Sequence, residues 1–286
     1  MRLLLTADLH YNHARSKPIA EALIKTINRT GGDVLVVVGD TAVADGQSLE
    51  HCLELFDFAG PKLFIAGNHE LWTNSGDSYA IYTKQLPQRV RALGWHWLES
   101  EPFIAGDLAI IGSVGWYDYS FAQSNLGIPP RFYRRKVSPG AATRLEEFAE
   151  LLTDRSDIAP HALEIVARWN DGRYVALGRS DQEFLHELLD RLERQLASLS
   201  HIKTIVAAIH HLPFRALLPP PHSWQWDFAK AYLGSEAIGN VLLKYPNVRH
   251  VFCGHSHFPA ETTIAHLHAT NIGSGYRVKT FKTLDI

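Results

Sequence analysis

Short apolar runs and amphipathic stretches alternate along the first hundred residues. Residues 2–7 and 33–38 are Leu- and Val-rich and bounded by Gly or Asp, as expected of strands buried on both faces of a parallel sheet. Between them Ile19, Ala22, Leu23 and Ile27 recur at helical spacing, after Pro18 at the start and before Gly31-Gly32 at the end. Residues 48–58 again read as a helix and 62–66 as a strand. This order predicts an α/β architecture with a parallel core. Residues 95–114 predict two or three further strands with tight turns.

Beyond residue 115 the pattern breaks. Residues 116–179 are rich in Pro, Arg, Trp and Tyr, with periodicity only near 141–152 and 161–169. They read as an insertion or cap within a single domain spanning 1–286. Ser180 and Glu183 then form a capping-box pattern, and Phe184, Leu185, Leu188, Leu189, Leu192, Leu196 and Leu199 make one apolar stripe. A strand at 203–209, a helix around 228–244, a strand at 248–253 and a β-meander over 260–283 complete the expected elements.

The chain of 286 residues is 46% hydrophobic and 20% charged, which is ordinary globular composition. Its net charge of −2 provides no global field for nucleic acid or an anionic membrane. Two distant cysteines, Cys52 and Cys253, suit a reduced thiol state rather than a disulfide framework. The apolar N-terminal run is too short for a signal peptide, and no run approaches a bilayer span. A cytoplasmic protein without a membrane partner is expected.

Candidate chemistry sits where the apolar runs stop. "RLLLTADLH" ends in Asp8 and His10, "VLVVVGD" in Asp40, and "LFIAGNHE" in Asn68 and His69. "IVAAIHH" ends in His210 and His211, and "VRHVFCGHSH" in His255 and His257. In open α/β sheets, ligands bind at the carboxyl ends of the strands, so these residues can converge. Asp8 and His10, like His255 and His257, are two apart, which on extended chain points both to one side. The carboxylate, amide and imidazole pool suits Mn, Fe, Zn or Ni. These candidates are too many for one tetrahedral zinc but fit two ions sharing a carboxylate. With Asp8 and Asp40 such a pair of dications keeps a charge of about +2, for which a phosphate ester is the complement.

Together "DLH", "GD", "GNHE", the His after "VAAI" and "GHSH" resemble the calcineurin-like metallophosphoesterase superfamily, with motifs from residue 8 to residue 257. The resemblance implies a four-layer α/β/β/α sandwich and two divalent or mixed-valence metal ions. It implies that Asp8, His10, Asp40 and His257 hold one ion, and that Asp40, Asn68, His210 and His255 hold the other, with Asp40 bridging. His69 would then meet the substrate and protonate or stabilise the leaving oxygen, while metal-activated hydroxide attacks phosphorus. Many members carry a second Asp three residues after the one in "GD", orienting the catalytic His. Here that place is Val43, leaving Asp45 and Glu70 as candidates for the task.

The expected reaction is hydrolysis of a small-molecule phosphodiester or phosphomonoester, nucleotide-like, with a slight preference for diesters. A nuclease of the same fold is the alternative, and "PPRFYRRKV" (129–137) offers it a short basic cluster instead of a continuous groove. A non-catalytic scaffold fits less well, because every ligand position is intact. His211 and His13 read as supporting or packing residues and Cys253 as a small buried residue. Trp116, Tyr117 and Tyr119 read equally as a substrate wall or a hydrophobic plug. "PPPHSWQWDF" reads as a lid loop, or as one in which Trp224 and Trp226 are anchors.

Overall fold

The computed structural model describes residues 1–74 and 76–286. Its strands are β1 (Arg2–Thr6), β2 (Val34–Val38), β3 (Lys62–Ile65), β4 (His96–Trp97), β5 (Phe103–Ala105) and β6 (Leu108–Ser113). There follow β7 (Thr204–Ile209), β8 (Val248–Cys253), β9 (Ala260–Ile264), β10 (Leu267–Asn271) and β11 (Phe281–Asp285). One sheet has the order β11-β1-β2-β3-β4 and the other β5-β6-β7-β8-β10-β9. Both are mixed: parallel pairing dominates inside, and β11, β5 and β9 pair antiparallel at edges.

Side-chain alternation along the strands creates the layers. Leu3, Leu5, Val36 and Ile65 of the first sheet share a core with Ile110, Val206, Ala208 and Phe252 of the second. The alternate residues Leu4, Leu35, Val37 and Phe64 cluster with apolar residues of α1 (Lys17–Thr30) and α2 (Ser48–Glu54). On the other side Ile111, Ala207 and Val251 join Phe184, Leu188 and Leu192 of the long helix α3 (Asp181–Ser198). The chain is therefore mixed α/β, two sheets flanked by helices. Strands buried on both faces explain why β2 reads as an unbroken apolar run of valines and Leu35.

The capping box at Ser180–Glu183 forms as the sequence predicts. Two expectations are corrected. The helix expected over 228–244 is broken at Gly234, whose φ of 155° no other residue adopts easily, leaving Trp224–Ala229 and Glu236–Leu243 as separate helices. The expected meander is one hairpin, β9–β10, after which the chain leaves for the other sheet and pairs β11 with β1.

Between β6 and α3 the chain makes short helical turns around a small core of its own, including Phe132, Val137, Phe148 and Leu151. The basic cluster at 129–137 is largely matched there by acids: Arg131 with Asp157, Arg135 with Glu150, and Lys136 with Asp181. Phe132 and Tyr133 are buried, so the cluster presents no stacking platform. Trp116 and Tyr117 are likewise buried, as a plug requires. Cys52 and Cys253 are buried free thiols. Among the described residues, no helix is long and apolar enough to cross a membrane.

Candidate metal centre

The strand-end loops are laced to one another before any ion is considered. Asp8 N–H donates to Gly39 O at 3.0 Å, His10 N–H to Asp40 O at 2.9 Å and Gly254 N–H to His210 O at 3.1 Å. Glu70 gathers the ends of β2 and β3, accepting from the backbone of Asp40, Thr41, Ala42 and Gly67 at 2.6–3.1 Å. At Gly67 the loops touch so closely that a Cβ would lie 2.2 Å from Asp40 Oδ1 and 2.7 Å from His210 Nε2.

Asp8, His10, Asp40 and His257 bring one donor atom each within 4.8 Å of one another, and so do Asp40, His210 and His255. Asp40 belongs to both groups. Its Oδ1 lies 3.3 Å from His210 Nε2, and its Oδ2 lies 3.8 Å from both His10 Nε2 and His69 Nε2. His10 Nε2 and His257 Nε2 face each other at 2.9 Å. Asn68 lines the same cleft as Asp40 and His255; its Nδ2 donates to Asp171 at 2.8 Å, and its Oδ1 is buried without a partner.

Pairing does not come from an extended backbone. Asp8, His10, Asp40, His255 and His257 all have positive φ, between 44° and 67°. For non-glycine residues this left-handed region is costly and persists where surroundings impose it, commonly at functional sites. Both residues of each pair turn inward because of that conformation.

Backbone carbonyls select which ring nitrogens are free. His210 Nδ1 donates to Val38 O at 2.9 Å, turning Nε2 inward, and His255 Nε2 donates to Tyr232 O at 3.2 Å, freeing Nδ1. His255 Nδ1 and Asn68 Oδ1 are thus buried acceptors without protein partners, and His210 Nε2 faces Asp40 Oδ1 at 3.3 Å. Orphaned donors of this kind converging on one carboxylate fit two cations. Burial disfavours a charged His210, but the Asp40 carboxylate outweighs it and pushes the pKa up to about 10. His255 is held well below its ordinary value by burial and by neighbouring imidazoles.

His69 is buried beside this centre, with its ring stacked on Trp72 at a centroid distance of 3.7 Å. Burial lowers its pKa against the pull of Asp40 and Asp171, so the ring is neutral. Neither sequence candidate orients it. Glu70 is spent on backbone amides, and Asp45 accepts from Thr73 Oγ1 and Asn74 N at 3.0 Å. The Trp72 stack and Asp40 hold His69 instead. His211 lies behind His255, 4.2 Å between centroids, with Nδ1 on Val114 O; burial drives its pKa down to about 3. His13 stands at the rim, 6.3 Å from the His69 ring.

A cleft of about 220 Å³ opens on the centre, walled by Trp72, Trp169, Trp226, Leu233 and Tyr276, with Arg168 and Asn170 at its edge. Sequence reasoning had singled out only Trp226 of these. Tyr276 stacks on His10 at 4.5 Å. Asp171, fully buried behind the cleft, accepts from Asn68 Nδ2 (2.8 Å), Trp72 Nε1 (2.6 Å), Trp169 Nε1 (2.7 Å) and Tyr117 Oη (3.0 Å). In sequence it sits in "WNDG", which signals only a turn.

Two candidate ligand groups that share Asp40, at one edge of two helix-flanked sheets, suit a dimetal phosphoesterase, and the chain belongs to the calcineurin-like phosphoesterase family, whose pattern matches residues 1–259. It is a metal-dependent phosphoester hydrolase. The chain is 35% identical over 77 residues to [acyl-carrier-protein] phosphodiesterase PptH of Mycobacterium tuberculosis, a stretch covering 27% of this chain and 22% of that protein. The crystal structure of that phosphopantetheinyl hydrolase superposes with a TM-score of 0.69 at 22% identity, covering 96% of this chain and 89% of the other. A dimetal phosphatase from Danio rerio superposes at 0.55 and 13% identity, covering 99% and 91%. At these identities the superpositions speak to fold.

Proposed function

We propose that the chain hydrolyses phosphodiesters, with one organic arm of the substrate lying in the indole-walled cleft. The observation that carries this reading is Asp40, a buried carboxylate whose two oxygens face two different donor groups. Asp8, His10, Asp40 and His257 would hold one ion, and Asp40, Asn68, His210 and His255 the other. Mn, Fe, Zn or Ni suits these donors. Two ions so bound supply Lewis acidity and a nucleophile at neutral pH.

The chain's own residues do the rest. Glu70 and the laced loops keep the donors in place without the cost of ordering them at each turnover. His69, neutral and stacked on Trp72, presents a ring N–H that donates a hydrogen bond to the departing oxygen and stabilises its developing charge. Trp72, Trp169 and Trp226 exclude water from one side, where an apolar or aromatic arm fits better than a bare phosphate. Arg168, shared with Glu147 at 3.1 Å, offers a cation at the edge. With the basic residues of 129–137 largely ion-paired, a nuclease is the weaker reading.

Two diester classes suit the cleft: a nucleotide-like small molecule, and a phosphopantetheinyl arm on a carrier protein. The likeness to PptH favours the second. The reduced thiols suit a cytoplasmic enzyme.

The test is hydrolysis by chelator-stripped protein reloaded separately with Mn, Zn, Fe and Ni. Bis-p-nitrophenyl phosphate, p-nitrophenyl phosphate and holo-acyl-carrier protein serve as parallel substrates. Metal-restored cleavage of the diester above the monoester is expected. A monoester preference with every metal overturns the diester assignment, and inert carrier protein beside active chromogenic diester overturns the phosphopantetheinyl one.

A further inference from the structure

Among the described residues, four carboxylates outside the proposed ligand set are deeply buried, and three have conventional partners. Glu70 and Glu99 accept backbone N–H groups at strand ends, and Asp181 has the Lys136 ammonium. Asp171 differs because its four recorded side-chain donors are neutral groups. Three of the four belong to the site: Asn68 is a proposed ligand, Trp72 is the ring stacked on His69, and Trp169 walls the cleft.

An asparagine amide has two unlike ends, and an ion accepts only the oxygen. At Asn68 the choice is made by Asp171. A carboxylate receiving an Nδ2 hydrogen leaves Oδ1 at the other end of the amide, buried with no protein partner on a residue that lines the cleft. Reversing the amide would set oxygen against carboxylate. The 116–179 segment meets the 68–74 loop at a second point, where Thr73 N–H donates to Tyr174 O at 3.0 Å and Trp72 stacks on Tyr174.

We infer that Asp171 is a positioning residue of the metal centre, fixing the Asn68 amide with its oxygen toward the second ion while pinning the two indoles beside the reacting group. The inference rests on the two-ion reading above. It assigns the 116–179 segment a part in ion binding as well as in shaping the cleft. Partners that orient metal ligands typically carry a 10–100-fold effect on affinity.

Asp171→Asn keeps size and shape but sets an NH₂ group among four donors. Metal content after dialysis against graded chelator, together with titration calorimetry, should show one ion held as in the wild type and the other weakened roughly 10–100-fold. Tyr117→Phe removes a different donor from Asp171 and should leave both affinities within about twofold; it controls for general loosening of the segment. The exchange Asn68→Asp with Asp171→Asn restores the bond with reversed polarity and should again bind two ions. That double variant also serves if the single one does not fold.

Two ions bound at wild-type affinity in Asp171→Asn overturn the inference, and so does an equal loss in Tyr117→Phe or a folded exchange variant that binds one ion. A wild-type protein that binds two ions yet cleaves no phosphoester would instead overturn the proposed function and leave Asp171's role standing.

Discussion

His69 and His210 are neighbours of the same carboxylate, yet their surroundings prepare them for opposite protonation states. His69 is held neutral by burial, and it is fixed by the Trp72 stack and by Asp40, which accepts its backbone N–H at 2.9 Å. His69→Ala should therefore keep both ions and lose about 10²–10⁴-fold in turnover on diesters with poor leaving groups. Near-normal turnover on an alkyl diester, with ions retained, would remove His69 from the reaction. His210 in the ion-free protein is protonated up to about pH 10, paired with Asp40. This raised pKa stabilises the ion-free fold fully below 6.5, a contribution lost as pH rises through about 10. An ion must displace that proton, so the second ion's affinity should climb about tenfold per pH unit below 10. Calorimetry at pH 8 in two buffers of different ionisation enthalpy should register the released proton; His210→Asn should abolish it. The candidate donors were legible in the sequence because polar side chains directly after buried strands have no packing reason to be there. Asp171, Trp72, Trp169 and Tyr276 were not, since a turn aspartate and scattered aromatics look the same wherever they pack.

Among the elements, the strand-end loops determine what the donors can do. Two residues apart was the right spacing for the wrong reason: left-handed φ at Asp8, His10, His255 and His257, not an extended strand, turns each pair inward. Sequence spacing cannot distinguish the two, because conformation here is imposed by hydrogen bonds from other loops. Glu70 is the central one, holding the ends of β2 and β3 by four backbone bonds. Replacing it by Gln points an NH₂ at amide donors, and buried charged-group bonds are worth about 1.5–3 kcal/mol each. Glu70→Gln should lower Tm by roughly 5–10 °C, with ion binding impaired in parallel. An unchanged melting curve would mean that the clamp is redundant. Gly67→Ala tests the same junction by sterics. With Asp40 Oδ1 2.2 Å from the added Cβ, the loops must part, and the Asp40 group should lose ions before the fold is lost. Retained two-ion stoichiometry would show that the loops have room to give.

For the whole molecule, the question is what keeps so many unpaired polar groups inside. Asn68 Oδ1 and His255 Nδ1 are buried without protein partners, and His210 Nε2 faces a carboxylate, at the meeting edge of two sheets that share an apolar core. Each such group costs about 1–3 kcal/mol when nothing satisfies it. A fold that keeps them must recover that cost from whatever binds there, so stability and ion loading are one equilibrium. An ion that binds only the folded state at a hundred times its Kd adds about 2.7 kcal/mol. For a chain of this size that is a rise in Tm on the order of 5–10 °C per ion. Chelation of the wild type should lower Tm accordingly, and re-addition of Mn or Zn should restore it. Asp40→Ala, lacking the shared carboxylate, should melt at one temperature with or without metal, and Asp171→Asn should recover only part of the rise. If the stripped wild type melted where the loaded one does, the buried donors would be satisfied without ions, and the two-ion reading of Asp40 would fall with them.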